Sequence, residues 1–452
     1  MTAGESSRPA DLCVIGAGWS GLAAAVSAAS TGLTVRLIDA ARQAGGRARS
    51  QSLDLGFGPV VLENGQLLLM GAYRDTLRLI DMVSPHTATY SRKPLRLRDT
   101  SGLDLRAGRY PAPWHLLAAL AGARGLSLAE RFAATRLMTA LRLSGWRALP
   151  GETVDQMLVR HRQPEPLCER LWRPLCLSAL NTASANACAQ TLVTILRDTL
   201  GSDASACDFI IPHTNLGECL PRPALTWLAA RDITPEWSVT ARSLRAGERG
   251  WTIVTREQTI GARSLILALA PAQAARLLES FDHAGLTAIA RRWASALSGL
   301  APAPITTGYA AWPTSALPAL PDWLMLNSSG PGEWLFDRGV HRDHRIAAIV
   351  ASGCDAQGHG SPSAFAREIA GSAARAAGLP APRYAEAIVE KRATFSCVPD
   401  RPRIDQPEAG HLPGLWLAGD YTEAWYPATL ESAVRSGSRA AHLASQWLVR
   451  QA

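Results

Sequence analysis

The densest group of residues with chemical meaning lies near the start of the chain. Gly16-Ala17-Gly18-Trp19-Ser20-Gly21 follow a short apolar run, Asp11 to Ile15, and precede an alanine-rich stretch, Leu22 to Ser30. Asp39 closes the next apolar run, 18 residues past Gly21. This spacing suits the pyrophosphate and ribose of a dinucleotide. Gly16 permits a tight turn, Gly18 lets the backbone approach the phosphates, and Gly21 lets a helix pack closely on a sheet. A helix start presents free N–H groups and the positive end of its dipole to the phosphates. An acid at the distance of Asp39 accepts hydrogen bonds from ribose hydroxyls. The elements that must position these groups are a strand over 11–15, a helix over 22–30 and a strand over 34–38. Expected contacts are Gly16, Gly18, Trp19, Ser20, Gly21, Asp39 and Ala40.

Gly45-Gly46-Arg47-Ala48-Arg49-Ser50 come next. They resemble the GGRxxS/T element of the flavin amine oxidase and carotenoid desaturase superfamily. That resemblance implies FAD, with Gly45, Gly46 and Arg47 at its pyrophosphate. A guanidinium fork suits a phosphate in two-point contact. Some 370 residues later, Leu415 to Ala418 read as a buried strand ending at Gly419-Asp420, and a helix starts near Thr429 after Pro427. The superfamily ends in the same way. The resemblance places Gly419 and Asp420 near the ribityl chain and pyrophosphate. It places the helix start, Thr429 and Leu430, at the flavin pyrimidine edge, where a dipole stabilises reduced flavin. No cysteine lies in this motif, so the flavin is expected to be non-covalent. Residues 237–270 read as short strands resembling the adenine side of the same site, with a backbone contact at Val239 or Ala241.

Leu62-Glu63-Asn64-Gly65-Gln66, the block Leu171 to Thr182, Ile195 to Leu200 and Gly419-Asp420-Tyr421-Thr422 narrow the match. Together they resemble the squalene-associated FAD-dependent desaturases, described as the hydroxysqualene dehydroxylases of bacterial hopanoid biosynthesis. The resemblance runs from about residue 10 to 445. It adds Asn64 and Gly65 to the expected cofactor contacts. Two positions depart from the family's Asp-Asn-Gly-Gln-His: Glu63 stands first and Leu67 last. The implied reaction is reductive: hydroxysqualene and reduced FAD give squalene, water and oxidised FAD. The broken C–O bond is allylic, so its loss leaves a delocalised cation that a hydride from flavin N5 quenches. The protein must supply an apolar tunnel for a C30 chain, a proton donor and exclusion of water. Candidates for the catalytic groups are Tyr426, Gln66 and Asp198. The resemblance also implies squalene-synthase-like enzymes of the same pathway upstream.

Residues 114–146 read as two helices split near Gly125 to Ser127. Leu116, Leu117, Leu120, Phe132, Leu137, Leu141 and Leu143 give them an apolar face for the tunnel, with arginines opposite. Two other activities fit the same cofactor site. One is desaturation of a carotenoid-type isoprenoid. The other is amine oxidation, but Thr429 stands where amine oxidases carry an aromatic cage residue.

The fold class that follows is α/β: a discontinuous Rossmann-type FAD-binding domain with an inserted α+β substrate domain, as in amine oxidases. The expected division gives 1–85, 206–271 and 396–452 to the FAD domain, and 86–205 and 272–395 to the substrate domain. The chain's 452 residues, 47% hydrophobic and 19% charged, are those of a globular protein with a large core. The net charge is +8, carried almost wholly by arginine, since Lys93 and Lys391 are the only lysines. These arginines are scattered, not interleaved with aromatics, which disfavours nucleic acid. Arg92, Arg96, Arg98 and Arg106 flank the apolar helices and suit an anionic lipid surface. The eight cysteines show no C-x-x-C pair and no spacing for a metal, so free thiols and no metal are expected. No run is long and apolar enough to span a bilayer, and residues 1–10 lack a signal-peptide pattern. The expected place is the cytoplasm, with peripheral contact at the inner face of the membrane.

Overall fold

The computed structural model describes residues 9–65, 68–111, 114–248, 250–281, 286–326, 332–355, 361–404 and 412–451. Gln66, one of the catalytic candidates, lies outside them.

Seven strands form the main sheet. Ala10–Ile15 runs parallel to Val35–Asp39 on one side and to Thr259–Leu267 on the other. Glu236–Trp237 extends the first side, again in parallel. Beyond Thr259–Leu267 the sheet forks. The start of that strand pairs antiparallel with Gly250–Val254, which pairs with Ser243–Gly247. Its end pairs in parallel with Leu415–Leu417. Parallel strands covered on both faces read as unbroken apolar runs. Leu12, Cys13 and Val14 fit that rule, as do Leu265, Ile266 and Leu267, all fully buried. The α/β class expected from the sequence is the one observed.

Two helices cover one face of this sheet at close range. The cradle helix, Trp19–Ser30, lies against the C-terminal helix, Leu430–Arg450. A side chain at Gly437 would bring its Cβ to 2.0 Å from the Ser20 carbonyl oxygen, so the contact depends on glycine. Ser27 and Ser438 hydrogen-bond across the pair at 3.1 Å. Small residues here draw the first and last helices together, and with them both ends of the expected cofactor site.

A second sheet has five antiparallel strands in the order Trp323–Met325, Trp334–His341, His344–Ser352, Pro302–Pro313 and Tyr384–Phe395. Helix Pro362–Ala376 covers one face, with Phe365 and Ile369 buried against Ile349 and Trp312. Helices between residues 114 and 198 pack at its side in the largest core cluster.

The two helices expected near residue 114 are Trp114–Gly122 and Leu128–Leu143. Ser127 and Glu130 form a full capping box that starts the second. The expected apolar face is only partly the buried one. Leu120, Leu137 and Leu141 are buried, whereas Phe132 and Leu143 point outward, 68% and 83% exposed. The core contacts are made instead by Ala133, Ala134, Leu137, Met138 and Leu141. Small alanines allow closer helix packing than phenylalanine, so the buried stripe is rotated from the one that bulk alone suggests.

Candidate active site

Gly16 leaves the first strand with φ +108°, a conformation that side chains resist. A Cβ on it would meet the Ala268 carbonyl oxygen at 2.3 Å. Gly21, one turn later, is tighter still: its Cβ would lie 1.7 Å from the Gly16 oxygen. Gly18 differs from both. It caps the cradle helix in an extended conformation, without a side-chain cap, and a Cβ there would find nothing nearer than the Gly46 Cα at 3.7 Å. Gly16 and Gly21 thus shape the turn, and Gly18 keeps open the space above a helix N-terminus whose first N–H groups lack helical partners.

The second glycine pair closes on the same spot. The Gly45 amide donates to the Ala17 oxygen at 3.0 Å, and Gly18 and Gly45 form an isolated bridge. Trp19 is buried, and its indole N–H donates to the Ala48 oxygen at 3.1 Å. Ser20 is buried under the C-terminal helix. Asp39 ends its strand beside this turn. Its carboxylate accepts from the Ala17 and Ala41 amides at 2.5 and 2.6 Å, with the exposed Ala40 between. The Val239 amide donates to the Asp39 oxygen at 3.0 Å, which brings the expected adenine-side segment, with half-buried Ala241, to the same edge.

Arg47 reaches across from this loop to the C-terminal motif. Its Nη2 donates to Asp420 Oδ2 at 2.7 Å and its Nη1 to the Ala393 oxygen at 2.8 Å. Asp420 is buried, and its Oδ1 has no partner among the described residues. Gly419 precedes it in extended backbone, its amide held by Ser436 Oγ at 2.9 Å. Asn64 joins the group: its amide nitrogen Nδ2 donates to the Arg47 oxygen and to Glu390 Oε2. Gly65 follows with φ +90°.

The C-terminal helix begins where the motif ends. Thr429 Oγ1 accepts from the Ser432 amide at 3.1 Å, and Ser432 Oγ accepts from the Thr429 amide at 3.0 Å. Leu430 is the first helical residue. Thr429→Ala should remove this box and cost about 1 kcal/mol. Urea unfolding checks it: an unmoved midpoint would show that the cap contributes nothing.

Glu431 and Arg401 were not singled out from sequence, and Glu63 only as a departure from the family pattern. Glu431 is buried and accepts from the Thr76 amide, the Thr76 hydroxyl and the Asp75 amide. It thereby caps helix Arg74–Val83, and burial pushes its carboxyl above the usual range. Arg401 is also buried. It donates to the oxygens of Glu423 and Ala424 and lies 4.5 Å over the Phe395 ring. Glu63 is buried, takes Arg338 Nη2 at 2.6 Å, and leaves Oε2 without a partner among the described residues. Burial raises its carboxyl against the pull of Arg338. The hydrogen-bond partners of Glu431, Arg401 and Glu63 lie well away in the chain, so no local motif announces them.

The catalytic candidates sit as follows. Tyr426 is buried beside Tyr73, Asp198, Glu431 and Arg435, and burial holds its phenol far above the ordinary range. Arg435 lies over its ring at 5.2 Å. Asp198 is paired with Arg197 at 2.7 Å. Among the described residues no group of His, Cys, Asp and Glu could hold a metal, and all eight cysteines are free.

The residues present fit FAD. They offer an open helix N-terminus behind glycines, the Asp39 carboxylate beside that turn, the Arg47–Asp420 pair and a buried Asp420 oxygen without a partner among the described residues. Residues 14–82 match the NAD(P)-binding Rossmann-like domain family. Solved structures share the whole fold. A putrescine oxidase variant superposes with a TM-score of 0.70 at 18% identity, over 96% of this chain and 98% of its own. Cyclohexylamine oxidase from Brevibacterium oxydans gives 0.69 at 17% identity, over 97% and 99%. By sequence, the hydroxysqualene dehydroxylase of Rhodopseudomonas palustris is 31% identical over 442 residues, covering 95% of this chain and 97% of that protein. The hydroxysqualene dehydroxylase of Sinorhizobium fredii is 29% identical, covering 96% and 98%. The chain therefore belongs to the hydroxysqualene dehydroxylase family, flavin-dependent oxidoreductases on the amine oxidase fold.

Proposed function

We propose that this protein removes the hydroxyl of hydroxysqualene reductively to give squalene, in squalene and hopanoid synthesis. The observation that carries the reading is end-to-end similarity to hydroxysqualene dehydroxylases, joined to a cradle that fits FAD. Reduced FAD, bound non-covalently, supplies the hydride. The residues proposed to hold it are Gly16, Gly18, Trp19, Ser20, Gly21, Asp39, Ala40, Gly45, Gly46, Arg47, Asn64, Gly65, Ala241, Gly419, Asp420, Thr429 and Leu430.

The chain's own groups have three tasks. The first turn of the cradle helix and Arg47 offset phosphate charge. The start of the C-terminal helix, fixed by the Thr429 box, aims its dipole at the flavin edge that gains negative charge. The wall near Tyr426 excludes water, which would otherwise capture the allylic cation. Of the catalytic candidates, Tyr426 suits a neutral hydrogen-bond donor to the leaving hydroxyl, since burial keeps its phenol protonated. Asp198, which lies near it, and Gln66 are the further groups proposed to take part in catalysis. The substrate domain is proposed to be 86–205 with 272–395, and the FAD domain the remainder.

Holoenzyme kept reduced under nitrogen should convert hydroxysqualene to squalene, identified by gas chromatography. Desaturation of a phytoene-like substrate by the oxidised enzyme, without any squalene, would favour the desaturase reading. Such a substrate is stored in membranes. We propose that the protein works in the cytoplasm against the inner membrane face, taking its substrate there from upstream squalene-synthase-like enzymes. No helix among the described residues is long and apolar enough to cross a bilayer, so contact would be peripheral.

A further inference from the structure

A groove of about 320 Å³ is lined by Lys93, Leu95, Arg96, Arg98, Arg106 and Trp323, among others. Its charges do not cancel. Lys93 pairs with Asp322 at 2.7 Å. Arg96 and Arg106 share Asp104, at 2.6 and 3.3 Å. Arg98 forms no ion pair among the described residues, and its Nε is buried without a partner. Four cations thus face two carboxylates, and among the described residues Arg98 has no carboxylate partner.

The groove adjoins an apolar edge. Arg96–Arg98 and Asp104–Arg106 are paired strands, and helix Trp114–Gly122 packs on the second. Asp104 and Arg124 exchange backbone hydrogen bonds, which clips the turn between the two helices to the groove's wall. Trp114 is 63% exposed, and Leu128, Phe132 and Leu143 are exposed along the next helix. Leu128, Phe132 and Arg136 are spaced four apart and so share one helix face. Val159 stands exposed nearby, where Arg136 Nη2 donates to the His161 and Arg162 oxygens. Large apolar residues gathered outside a core, rimmed by cations, mark an interaction surface.

We propose that this face docks on a bilayer containing anionic phospholipid. A headgroup phosphate sits with Arg98 and Arg106 in the groove, and Trp114, Leu128 and Phe132 lie among the acyl chains. Charge complementarity selects this occupant: aromatic and leucine side chains beside arginines match the boundary between acyl chains and headgroups. The proposal rests on the isoprenoid reading, for which a membrane is the reservoir, but its test does not use turnover.

Full-length holoenzyme should co-sediment with phosphatidylcholine vesicles containing phosphatidylglycerol, less so at high salt, and weakly with phosphatidylcholine alone. Arg98→Gln should lower partition onto the anionic vesicles about five-fold. Phe132→Ser should weaken binding to both vesicle types. Flavin content and melting temperature, measured alongside, separate these effects from misfolding. Equal binding to both vesicle types, or no change in Arg98→Gln, would overturn the proposal. So would release by inorganic phosphate beyond that by chloride at equal ionic strength, which would make the groove a site for free phosphate. A lipid-free dimer dissolved by Phe132→Ser would make the face a self-association surface instead. Vesicle binding without squalene formation would leave the docking face standing and sink only the proposed reaction.

Discussion

Gly21→Ala is expected to yield a colourless, destabilised protein. The new Cβ would lie 1.7 Å from the Gly16 carbonyl oxygen and 3.1 Å from the Ala268 Cβ. Backbone on one side and a buried strand end on the other leave neither neighbour free to yield. Overpacking of this kind costs about 1–3 kcal/mol, and the turn must open as well. Gly18→Val separates folding from binding. Its Cβ meets nothing closer than 3.7 Å, so the fold should lose no more than about 1 kcal/mol, the cost of a poor N-cap. The cofactor should still be lost, because the side chain fills the space that the phosphates need. Two variants with the same missing flavin absorbance and different urea midpoints are the expected signature. A full flavin load in Gly18→Val would show that the pyrophosphate does not lie over this turn.

The second large effect is expected at Arg47. Arg47→Ala leaves the Asp420 carboxylate, 6% exposed, without the guanidinium it is paired with. Stripping one member from a buried pair costs about 3–5 kcal/mol. The lower end applies here, since the Arg47 side chain is 33% exposed and water screens the pair. Arg47→Lys keeps the charge but cannot both bind Asp420 and reach the Ala393 oxygen as the guanidinium does, so flavin affinity should fall with less loss of stability. The double variant Arg47→Ala/Asp420→Asn removes both charges and should regain most of the stability while still failing to hold flavin. Equal instability of the single and double variants would show that the pair does not govern the fold.

Both predictions concern residues legible in the sequence, and the reason is local. A strand, a glycine turn, a helix and an acid occupy thirty consecutive positions, so spacing alone specifies their geometry. The C-terminal motif is equally compact, and its Thr429 cap stands where the sequence put the helix start. What stayed hidden depends on distant partners. Glu431 acts by capping a helix more than 350 residues earlier, and Arg401 by holding a loop from the side. Neither bond leaves a trace in its neighbours along the chain. The helix Leu128–Leu143 shows another limit. It carries two apolar stripes, and periodicity does not tell which one the fold covers. The stripe with alanines was covered, and the one with Phe132 was left outside.

In the proposed reaction the flavin runs in the reductive direction on an allylic alcohol. A single-turnover experiment checks this direction. Holoenzyme reduced by dithionite, freed of excess reductant under nitrogen, is mixed with hydroxysqualene while flavin absorbance is followed. The oxidised spectrum should return, and one squalene should form for each flavin reoxidised. Flavin that stays reduced, with hydroxysqualene recovered intact, would contradict it.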